Sequence, residues 1–293
     1  MTASAQAIAG SDMTGIKEQS AQFSDVSIGY VEAGADEPLI CLHGTGPGAS
    51  GISNFARNIT ALAQRYRVIV PDLPRFGRSS KVVITEPRLD YLSGIIRDFM
   101  DALGLDRAHF VGNSMGGQAA LKLAIDSPER VGRLVLVAPA PLRHSVFTPM
   151  PADAVRQIAG YYQGEGPSRE KMRLLLTSLV HDPSVVTDDM LDQRYAASID
   201  PEVLAVNRGP HWAVQSLDGE LERAAAPTLL VWGIEDRASP FDQAITMLRR
   251  LPAARLHVFA RCGHSVQLEY PDEFNRLVLD FLAEHQTTFT EHS

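Results

Sequence analysis

The sequence predicts an α/β protein with a mostly parallel central sheet, helices on both faces of the sheet, and an inserted helical segment. Short apolar runs alternate with stretches of helical periodicity from about residue 26 to residue 140, and the alternation resumes at Pro227. Such alternation implies crossover connections, which give a parallel sheet that is covered on both faces. Between the two halves, roughly residues 142–220 show helical patterns and several prolines but no strand-like run of comparable apolar strength.

The first half of the chain is predicted to contain strands and helices that are recognised by their apolar period. In chain order they are strand VSIGYVEAG, strand PLICLHG, helix NFARNITALAQRY, strand RVIVPDLP, helix DYLSGIIRDFMDALGL, strand AHFVGN, helix SMGGQAALKLAIDSPERV and strand RLVLVAPAP. Gly104 closes the second of these helices, as glycine commonly does.

The second half continues with strand PTLLVWG, a helix near FDQAITMLRRL, strand RLHVFA and helix PDEFNRLVLDFLAEH. We therefore divide the chain into a first part of the core (1–141, of which about residues 1–20 are expected to be flexible), a helical lid (142–220) and a second part of the core (221–293). The alternative for the middle segment is a set of ordinary surface helices, but so long an insertion without strands is more often functional.

Composition and charge exclude two classes of partner. The 27 Lys and Arg residues against 35 Asp and Glu residues give a net charge of -8 without a basic stripe, so no nucleic-acid partner is expected. No run approaches the roughly 18 apolar residues that span a bilayer. The segment MTASAQAIAGSDMTGIKEQS lacks the regions of a signal peptide, so we expect a cytoplasmic protein. Cys41 and Cys262 have no Cys/His metal spacing nearby and are interpreted as packed thiols.

A serine between glycines interrupts the pattern in HFVGNSMGG, residues 109–117. Residues 112–116 fit G-x-S-x-G, follow a predicted strand and open a predicted helix, which is the context that this nucleophile motif requires. The helix start supplies free N–H groups and a positive dipole end where negative charge can develop. Ser114 is therefore the candidate nucleophile.

A serine nucleophile requires a base and an orienting acid farther along the chain, in the order Ser, Asp or Glu, His. Asp236 follows strand PTLLVWG and His264 follows strand RLHVFA, so both lie at carboxyl ends of parallel strands, where open α/β sheets bind ligands. Each residue alone has an ordinary explanation, a turn cap for the acid and a satisfied polar residue for the histidine. Glu235 is the rival for the acid role, but it precedes Asp236 and should point elsewhere.

An oxyanion hole is predicted in the glycine-rich turn that follows strand PLICL, residues 43–48. Glycines there let backbone N–H groups point at a carbonyl oxygen, and the expected donors are the N–H groups of Thr45 and Met115. The alternative is a phosphate-binding loop, but the Lys-Ser/Thr ending of a P-loop is missing.

Several longer segments resemble the meta-cleavage product hydrolases of the α/β hydrolase superfamily. They are HGTGPGASGISNF, DLPRFGRSS, GNSMGG, FTPMP, WGIEDR and CGHSVQLEYPDEFNRLVLDFL, and the resemblance runs from about residue 22 to residue 285. It implies the α/β hydrolase fold with an inserted helical lid, and Ser114, Asp236 and His264 as the catalytic triad. It also implies a homo-oligomer, a small anionic keto-acid substrate, and neither metal nor organic cofactor.

The resemblance further implies Asn54, Asn113 and Arg194 as substrate-binding residues, and we expect Gly44, Gly46 and Ser265 to contribute to the same subsite. In it, Arg194 holds the substrate carboxylate, which a guanidinium can grip with two parallel hydrogen bonds. Taken alone, Arg194 would be a surface helix residue paired with Asp189 or Asp192. Asn54 alone would be a helix cap, and Asn113 the free position of the motif.

The sequence departs from the family's usual pattern at three positions. Ser265 and Ile52 stand where many members carry Trp, and Arg75 stands where Gly is commoner in D-x-P-G-F-G. Both losses of Trp remove aromatic bulk near the site, so we expect a substrate with a larger, aryl C6 substituent.

The family resemblance implies hydrolysis of a carbon–carbon bond in a 2-hydroxy-6-oxo-dienoate, which yields 2-hydroxypenta-2,4-dienoate and a carboxylic acid. Two alternatives stay open at this point. A carboxylesterase would share the triad and the oxyanion hole but would not need Arg194. A ligand-binding protein on the same fold would keep the triad without turnover.

Overall fold

The structure, a computed structural model, describes residues 15–147, 152–208, 213 and 215–284. Eight strands form one sheet in the order β1-β2-β4-β3-β5-β6-β7-β8. The two pairings of β2, with β1 and with β4, are antiparallel, and all other pairings are parallel. The strands are β1 (Lys17–Phe23), β2 (Val26–Ala33), β3 (Pro38–Leu42), β4 (Arg67–Pro71), β5 (Ala108–Asn113), β6 (Val131–Val137), β7 (Thr228–Gly233) and β8 (Ala254–Phe259).

The described residues form eleven α-helices, most of which connect consecutive strands or belong to the middle segment. They are α1 (Gly51–Phe55), α2 (Ile59–Leu62), α3 (Arg88–Ala102), α4 (Met115–Asp126), α5 (Asp153–Gly160), α6 (Arg169–Ser178), α7 (Asp188–Ser198), α8 (Pro201–Arg208), α9 (Asp242–Arg250), α10 (Val266–Glu269) and α11 (Pro271–Ala283). The predicted α/β hydrolase fold is thereby confirmed. No helix among the described residues is both long and apolar enough to cross a membrane.

The apolar core lies in two layers, one on each face of the sheet. Successive residues of β3 alternate between them: Ile40 and Leu42 belong to the layer beneath α3 and α4, whereas Leu39 and Cys41 belong to the layer beneath α11. Because both faces are covered, the central strands are apolar along nearly their whole length.

The helix predicted over NFARNITALAQRY is interrupted, so that α1 and α2 are separate helices. Asn58 lies at the break and is fully buried. Its side-chain amide donates to the Gln267 carbonyl at 3.1 Å and to Asn275 Oδ1 at 2.9 Å. The apolar period continues across the break, so periodicity alone did not reveal it.

The edge strand β1 was not among the predicted strands. It begins at Lys17, within the segment of about residues 1–20 that was expected to be flexible, and residues 1–14 of that segment lie outside the described residues. Its residues are mostly exposed and polar, with Ala21 buried against the core. An exposed edge strand has little apolar alternation, which is why the sequence did not indicate it.

The described residues between 152 and 208 contain helices α5–α8 and one short 3₁₀ turn, Pro183–Val185. They have a small apolar cluster of their own, which includes Tyr161, Met172, Leu175 and Leu191 and contacts Leu268 of the core. Residues 148–151, the larger part of the FTPMP motif, lie outside the described residues, as do 209–212, 214 and 285–293. The division of the chain at 142 and 220 stays a prediction.

Candidate active site

Ser114 lies in the tight turn between β5 and α4. Its backbone angles, φ 52° and ψ -118°, are ones that a non-glycine residue rarely adopts. Glycines surround it because α4 approaches the sheet closely: a Cβ on Gly116 would overlap the Leu42 carbonyl oxygen, and a Cβ on Gly112 would lie 2.5 Å from Gly117 Cα. The backbone N–H of Ser114 donates to the Val137 carbonyl at 2.8 Å, which fixes the turn at the end of β6.

His264 and Asp236 form a hydrogen-bonded pair at the ends of β8 and β7. His264 Nδ1 lies 2.8 Å from Asp236 Oδ2, and the two side chains are 7% and 0% exposed. Asp236 Oδ1 accepts the N–H groups of Ala238 at 2.7 Å and Ser239 at 2.9 Å. Because the carboxylate faces Nδ1, we assign the proton to Nδ1, which leaves Nε2 as an acceptor.

Glu235, the rival for the acid role, faces the helical segment. Its Oε2 lies 3.2 Å from His181 Nδ1, and its side chain is 50% exposed. The geometry therefore favours Asp236 as the partner of His264.

The glycine-rich loop after β3 is held by two polar side chains, of which His43 is buried and Asn54 is half-buried. His43 Nε2 accepts the Leu73 N–H at 2.9 Å, so Nδ1 carries the proton and donates to the Gly44 carbonyl at 2.7 Å. Burial lowers the pKa of His43, which suits this neutral tautomer. Asn54 Oδ1 accepts the Gly44 N–H at 3.2 Å. A Cβ on Gly44 would lie 3.1 Å from Ser114 Cβ, so the loop packs directly beside the serine.

Arg194 of α7 reaches this loop from the helical segment. Its Nε and Nη2 donate to the Pro47 carbonyl at 3.1 and 2.9 Å. Gly48 has φ +66°, and a Cβ there would overlap the Arg194 carbonyl oxygen. Burial lowers the pKa of Arg194 to about 10, which keeps it charged at neutral pH. The surface ion pair that Arg194 alone would suggest, with Asp189 or Asp192, is therefore not the contact that its guanidinium forms. Asp192 pairs with Arg169 instead.

A cavity of about 1410 Å³ separates the sheet edge from helices α5–α8. Most of the predicted site residues line it: Thr45, Gly46, Asn54, Asn113, Ser114, Met115, Arg194, His264 and Ser265. Ile52 and Arg75, two positions that depart from the family pattern, line it as well. Asp236 and Gly44 are absent from that lining and lie behind His264 and the glycine-rich loop. Asn113 also links the end of β6 to the loop that carries His264, because its amide donates to the carbonyls of Val137 at 3.3 Å and His264 at 3.4 Å.

Sequence reasoning missed several cavity residues. Tyr162, Met190, Arg88 and Gln118 also line the cavity, and Arg88 Nη2 donates to Gln118 Oε1 at 2.7 Å. Burial raises the pKa of Tyr162 and lowers that of Arg88 to about 10. No local motif marks Tyr162 and Met190, because their place at the cavity depends on how the helical segment folds over the sheet. Arg88 and Gln118 lie in the first turns of the core helices α3 and α4.

Arg75 adopts the left-handed conformation for which glycine is commoner at this position. Its φ is 80°, it is 7% exposed, and its Nη2 donates to the Val206 carbonyl of α8 at 3.0 Å. The side chain thus connects the loop after β4 with the helical segment. Among the described residues, no cluster of three His, Cys, Asp or Glu side chains could hold a metal ion.

Comparison with known proteins gives consistent similarities. The sequence profile of the alpha/beta hydrolase family matches residues 39–277. A 2-hydroxy-6-oxo-6-phenylhexa-2,4-dienoate hydrolase of Burkholderia cepacia is 42% identical over 269 residues, covering 89% of this chain and 92% of that protein. A 2-hydroxy-6-oxononadienedioate/2-hydroxy-6-oxononatrienedioate hydrolase of Comamonas testosteroni is 40% identical over 269 residues, with the same coverage of 89% and 92%.

A solved structure agrees with these sequences. The meta-cleavage product hydrolase from Pseudomonas fluorescens IP01, determined as a mutant complexed with acetates, has a TM-score of 0.80 and 35% identity. The match covers 90% of this chain and 96% of that chain.

Proposed function

The chain belongs to the alpha/beta hydrolase family and, within it, to the meta-cleavage product hydrolases, and on this basis we propose that it hydrolyses the C5–C6 bond of 2-hydroxy-6-oxo-dienoates. The products are 2-hydroxypenta-2,4-dienoate and a carboxylic acid. The observation that supports the proposal most directly is that His264, paired with Asp236 at 2.8 Å, lines the same cavity as Ser114, a serine in a strained strand-to-helix turn. The names of the relatives supply the substrate class.

The proposed reaction begins with ketonisation, in which the proton of the 2-hydroxyl group is lost and a proton is gained at C5. His264 then takes the Ser114 proton, and Ser114 Oγ bonds to C6. The C5–C6 bond breaks, its electron pair moves through the chain to the oxygen on C2, and that oxygen takes the proton from His264. A water then loses its proton to His264, bonds to the acyl carbon and releases the acid, while Ser114 recovers its proton.

The oxygen on C6 becomes negatively charged in both halves of this reaction. We assign the N–H groups of Thr45 and Met115 as its donors, since both residues line the cavity and α4 begins at Met115. The hydrogen bonds of His43 and Asn54 to Gly44 support this role, because they hold the loop without a ligand. Such preorganised donors stabilise the oxyanion without reorganisation.

Arg194 is proposed to bind the substrate carboxylate, with Gly46, Asn54, Asn113 and Ser265 completing the subsite. The support is its position on the cavity wall and its charge at neutral pH. A planar guanidinium can hold Pro47 with two N–H groups and still present others to a carboxylate.

We further propose an aryl substituent at C6, because Ser265 and Ile52 line a roomy cavity and the Burkholderia relative is named for a phenyl substrate. The proposal also covers a cytoplasmic location and a homo-oligomer; light scattering at several concentrations would test the latter.

The test is a spectrophotometric panel that follows loss of the coloured dienolate for substrates with methyl, phenyl and larger C6 groups. Ser114→Ala is expected to lower turnover at least about 1000-fold while the substrate still binds, because the oxyanion donors and the carboxylate clamp remain. Near-normal turnover by this variant would reject Ser114 as the nucleophile. A wild-type protein that cleaves nitrophenyl esters but none of the dienoates would be a carboxylesterase.

A further inference from the structure

The carboxylate of Glu269, at the end of α10, joins two segments that are distant in sequence. Its Oε1 accepts the Gly263 N–H at 2.8 Å and the Cys262 thiol at 3.5 Å. Its Oε2 accepts the N–H groups of His181 at 2.7 Å and Asp182 at 3.3 Å. One oxygen therefore serves the segment that carries His264, and the other serves the segment that follows α6.

All four partners of Glu269 are donors, which suits an ionised carboxylate because that group only accepts hydrogen bonds. Burial, and secondarily the Glu269 charge, raise the pKa of the Cys262 thiol, so it stays protonated and able to donate. Removing the carboxylate would leave partly buried N–H groups without their acceptor, which is costly.

The two segments also touch directly. The His264 N–H donates to the Leu179 carbonyl at 2.9 Å. A Cβ on Gly263 would lie 2.8 Å from the Leu179 oxygen and 2.9 Å from Val180 Cα, so the backbones meet with no room for a side chain. The C-terminal end of α6 thus rests on the backbone of the proposed catalytic base.

Arg237, which follows Asp236, makes a second attachment to the same helix end. Its Nη2 donates to the Thr177 carbonyl at 3.0 Å and to the Val180 carbonyl at 2.8 Å. The last carbonyls of a helix lack intrahelical partners and carry partial negative charge, so a cation stabilises them. The loop after β7, which carries Asp236, and the loop after β8, which carries His264, both make hydrogen bonds to the C-terminal end of α6.

We infer that Glu269 is a positioning residue for the His264–Asp236 pair, holding the His264 backbone against the end of α6 so that helix and base form one rigid unit. The inference rests on the proposed function, because it assumes that His264 is the base.

The kinetic test is Glu269→Gln, with Glu273→Gln as the matched control on an exposed residue of α11. Glutamine keeps one carbonyl oxygen but turns an NH₂ group toward N–H donors. A small displacement of a catalytic group costs up to about 100-fold, so we expect kcat to fall about 10- to 100-fold on both a dienoate and a neutral ester. KM should change less than about two-fold, because the substrate contacts are untouched. The low-field proton signal of the His264–Asp236 hydrogen bond should weaken or shift, and the control should match wild type.

Hydrogen exchange tests the attachment of the end of α6 to the loop that carries His264, and it does not require turnover. In Glu269→Gln, the amides of residues 179–182 and 262–264 should lose protection together, whereas those of β5 should not. This result would stand even if the wild type cleaved no dienoate, so failure of the proposed function is distinguishable. Wild-type kcat in Glu269→Gln, or loss of protection in only one segment, would overturn the inference.

If Glu269→Gln does not fold, Arg237→Met provides the second test. It removes the donors to Thr177 and Val180 while keeping the length of the side chain. We expect Arg237→Met to lower kcat on both the dienoate and the ester and to leave KM unchanged. A wild-type kcat in this variant would contradict the inference that α6 and His264 form one rigid unit.

Discussion

Arg194 fastens α7 to the glycine-rich loop through the Pro47 carbonyl, before any substrate is considered. The same guanidinium lines the cavity and stays charged at neutral pH, although burial lowers its pKa to about 10. These hydrogen bonds of Arg194 go to a neutral carbonyl, and a partly buried cation attracts an anion because solvent screens it only in part. The observed role of Arg194 is support of the loop, and its proposed role is attraction of a carboxylate.

A change at Arg194 should separate these roles. Arg194→Ala is expected to weaken binding of a dienoate by about 2 to 4 kcal/mol, through loss of a charge-assisted pair, and to affect hydrolysis of nitrophenyl acetate much less. Arg194→Lys should recover only part of the loss, since a point charge does not reproduce the planar fork. Steady-state kinetics on both substrates provides the measurement. Equal losses on the two substrates would show that Arg194 only supports the loop.

Ser265 and Ile52 line the cavity at the two positions where tryptophan was expected, and the proposed preference for an aryl C6 substituent depends on the space that they leave. Each buried methylene contributes about 0.8 kcal/mol, so a phenyl group that fits should raise kcat/KM by ten-fold to several hundred-fold over methyl. Ser265→Trp should reduce this preference by filling the space, with Ser265→Ala as the control that adds no bulk. An unchanged aryl-to-methyl ratio in Ser265→Trp, or a wild type that prefers methyl, would contradict the argument from lost bulk.

At this scale the sequence identified Ser114, Asp236 and His264 as candidates because each follows a recognisable strand. The hydrogen bond between His264 and Asp236 is the geometry that those positions predict. Tyr162 and Arg88 could not be identified in the same way, since they reach the cavity only through long-range packing. The three roles remain predictions until the variants are measured.

The elements around Ser114 depend on how closely α4 approaches the sheet. Gly116 has no space for a side chain, because the Leu42 backbone occupies it. A side chain at position 116 could be accommodated only if α4 moved away from β3, and this movement would shift both the Ser114 turn and the Met115 N–H. Packing of this element and geometry of the proposed oxyanion hole are therefore linked.

Two glycine substitutions in helices should have opposite effects. Gly116→Ala is expected to destabilise the protein by several kcal/mol and to abolish turnover, since backbone atoms cannot yield as a flexible side chain would. Gly94→Ala in α3 has open space around its Cβ and should stabilise the fold by about 0.5 to 1 kcal/mol through helix propensity. Denaturant unfolding of both variants gives the comparison. A Gly116→Ala variant as stable and active as wild type would reject the close-approach argument.

The remaining elements show what apolar periodicity can and cannot predict. The central strands were found because both of their faces are buried, as β5 illustrates. The separation of α1 from α2 was missed, because it depends on the buried amide of Asn58 contacting Gln267 and Asn275 more than 200 positions away in sequence. Such partners exist only in the folded chain.

At the scale of the molecule, the helical segment is stabilised by a much smaller apolar cluster than the core. Among the residues that the structure describes, the apolar cluster of this segment has seven buried residues, against 36 and 22 in the two layers on the sheet. Helices α6 and α7 are also joined by exposed pairs of Arg169 with Asp188 and Asp192, and of Arg173 with Asp188. Exposed ion pairs contribute little to the free energy of folding, and their contribution falls as the salt concentration rises.

Local opening of α5, α7 and α8 is therefore expected to precede global unfolding. Their amides should exchange by a lower-energy process than those of β5 and β6, because few apolar contacts are lost when they open. The end of α6 should be more protected than the other helices of the segment, since Arg237 and the His264 N–H hold its carbonyls. Raising the salt concentration should accelerate exchange in α7 and leave β5 unchanged. Native-state hydrogen exchange resolved by peptide would measure the order in which these elements open. Equal opening free energies in α7 and β5 would contradict the prediction. They would mean that the segment and the core unfold as one cooperative unit, and that the cavity opens only by rigid motion.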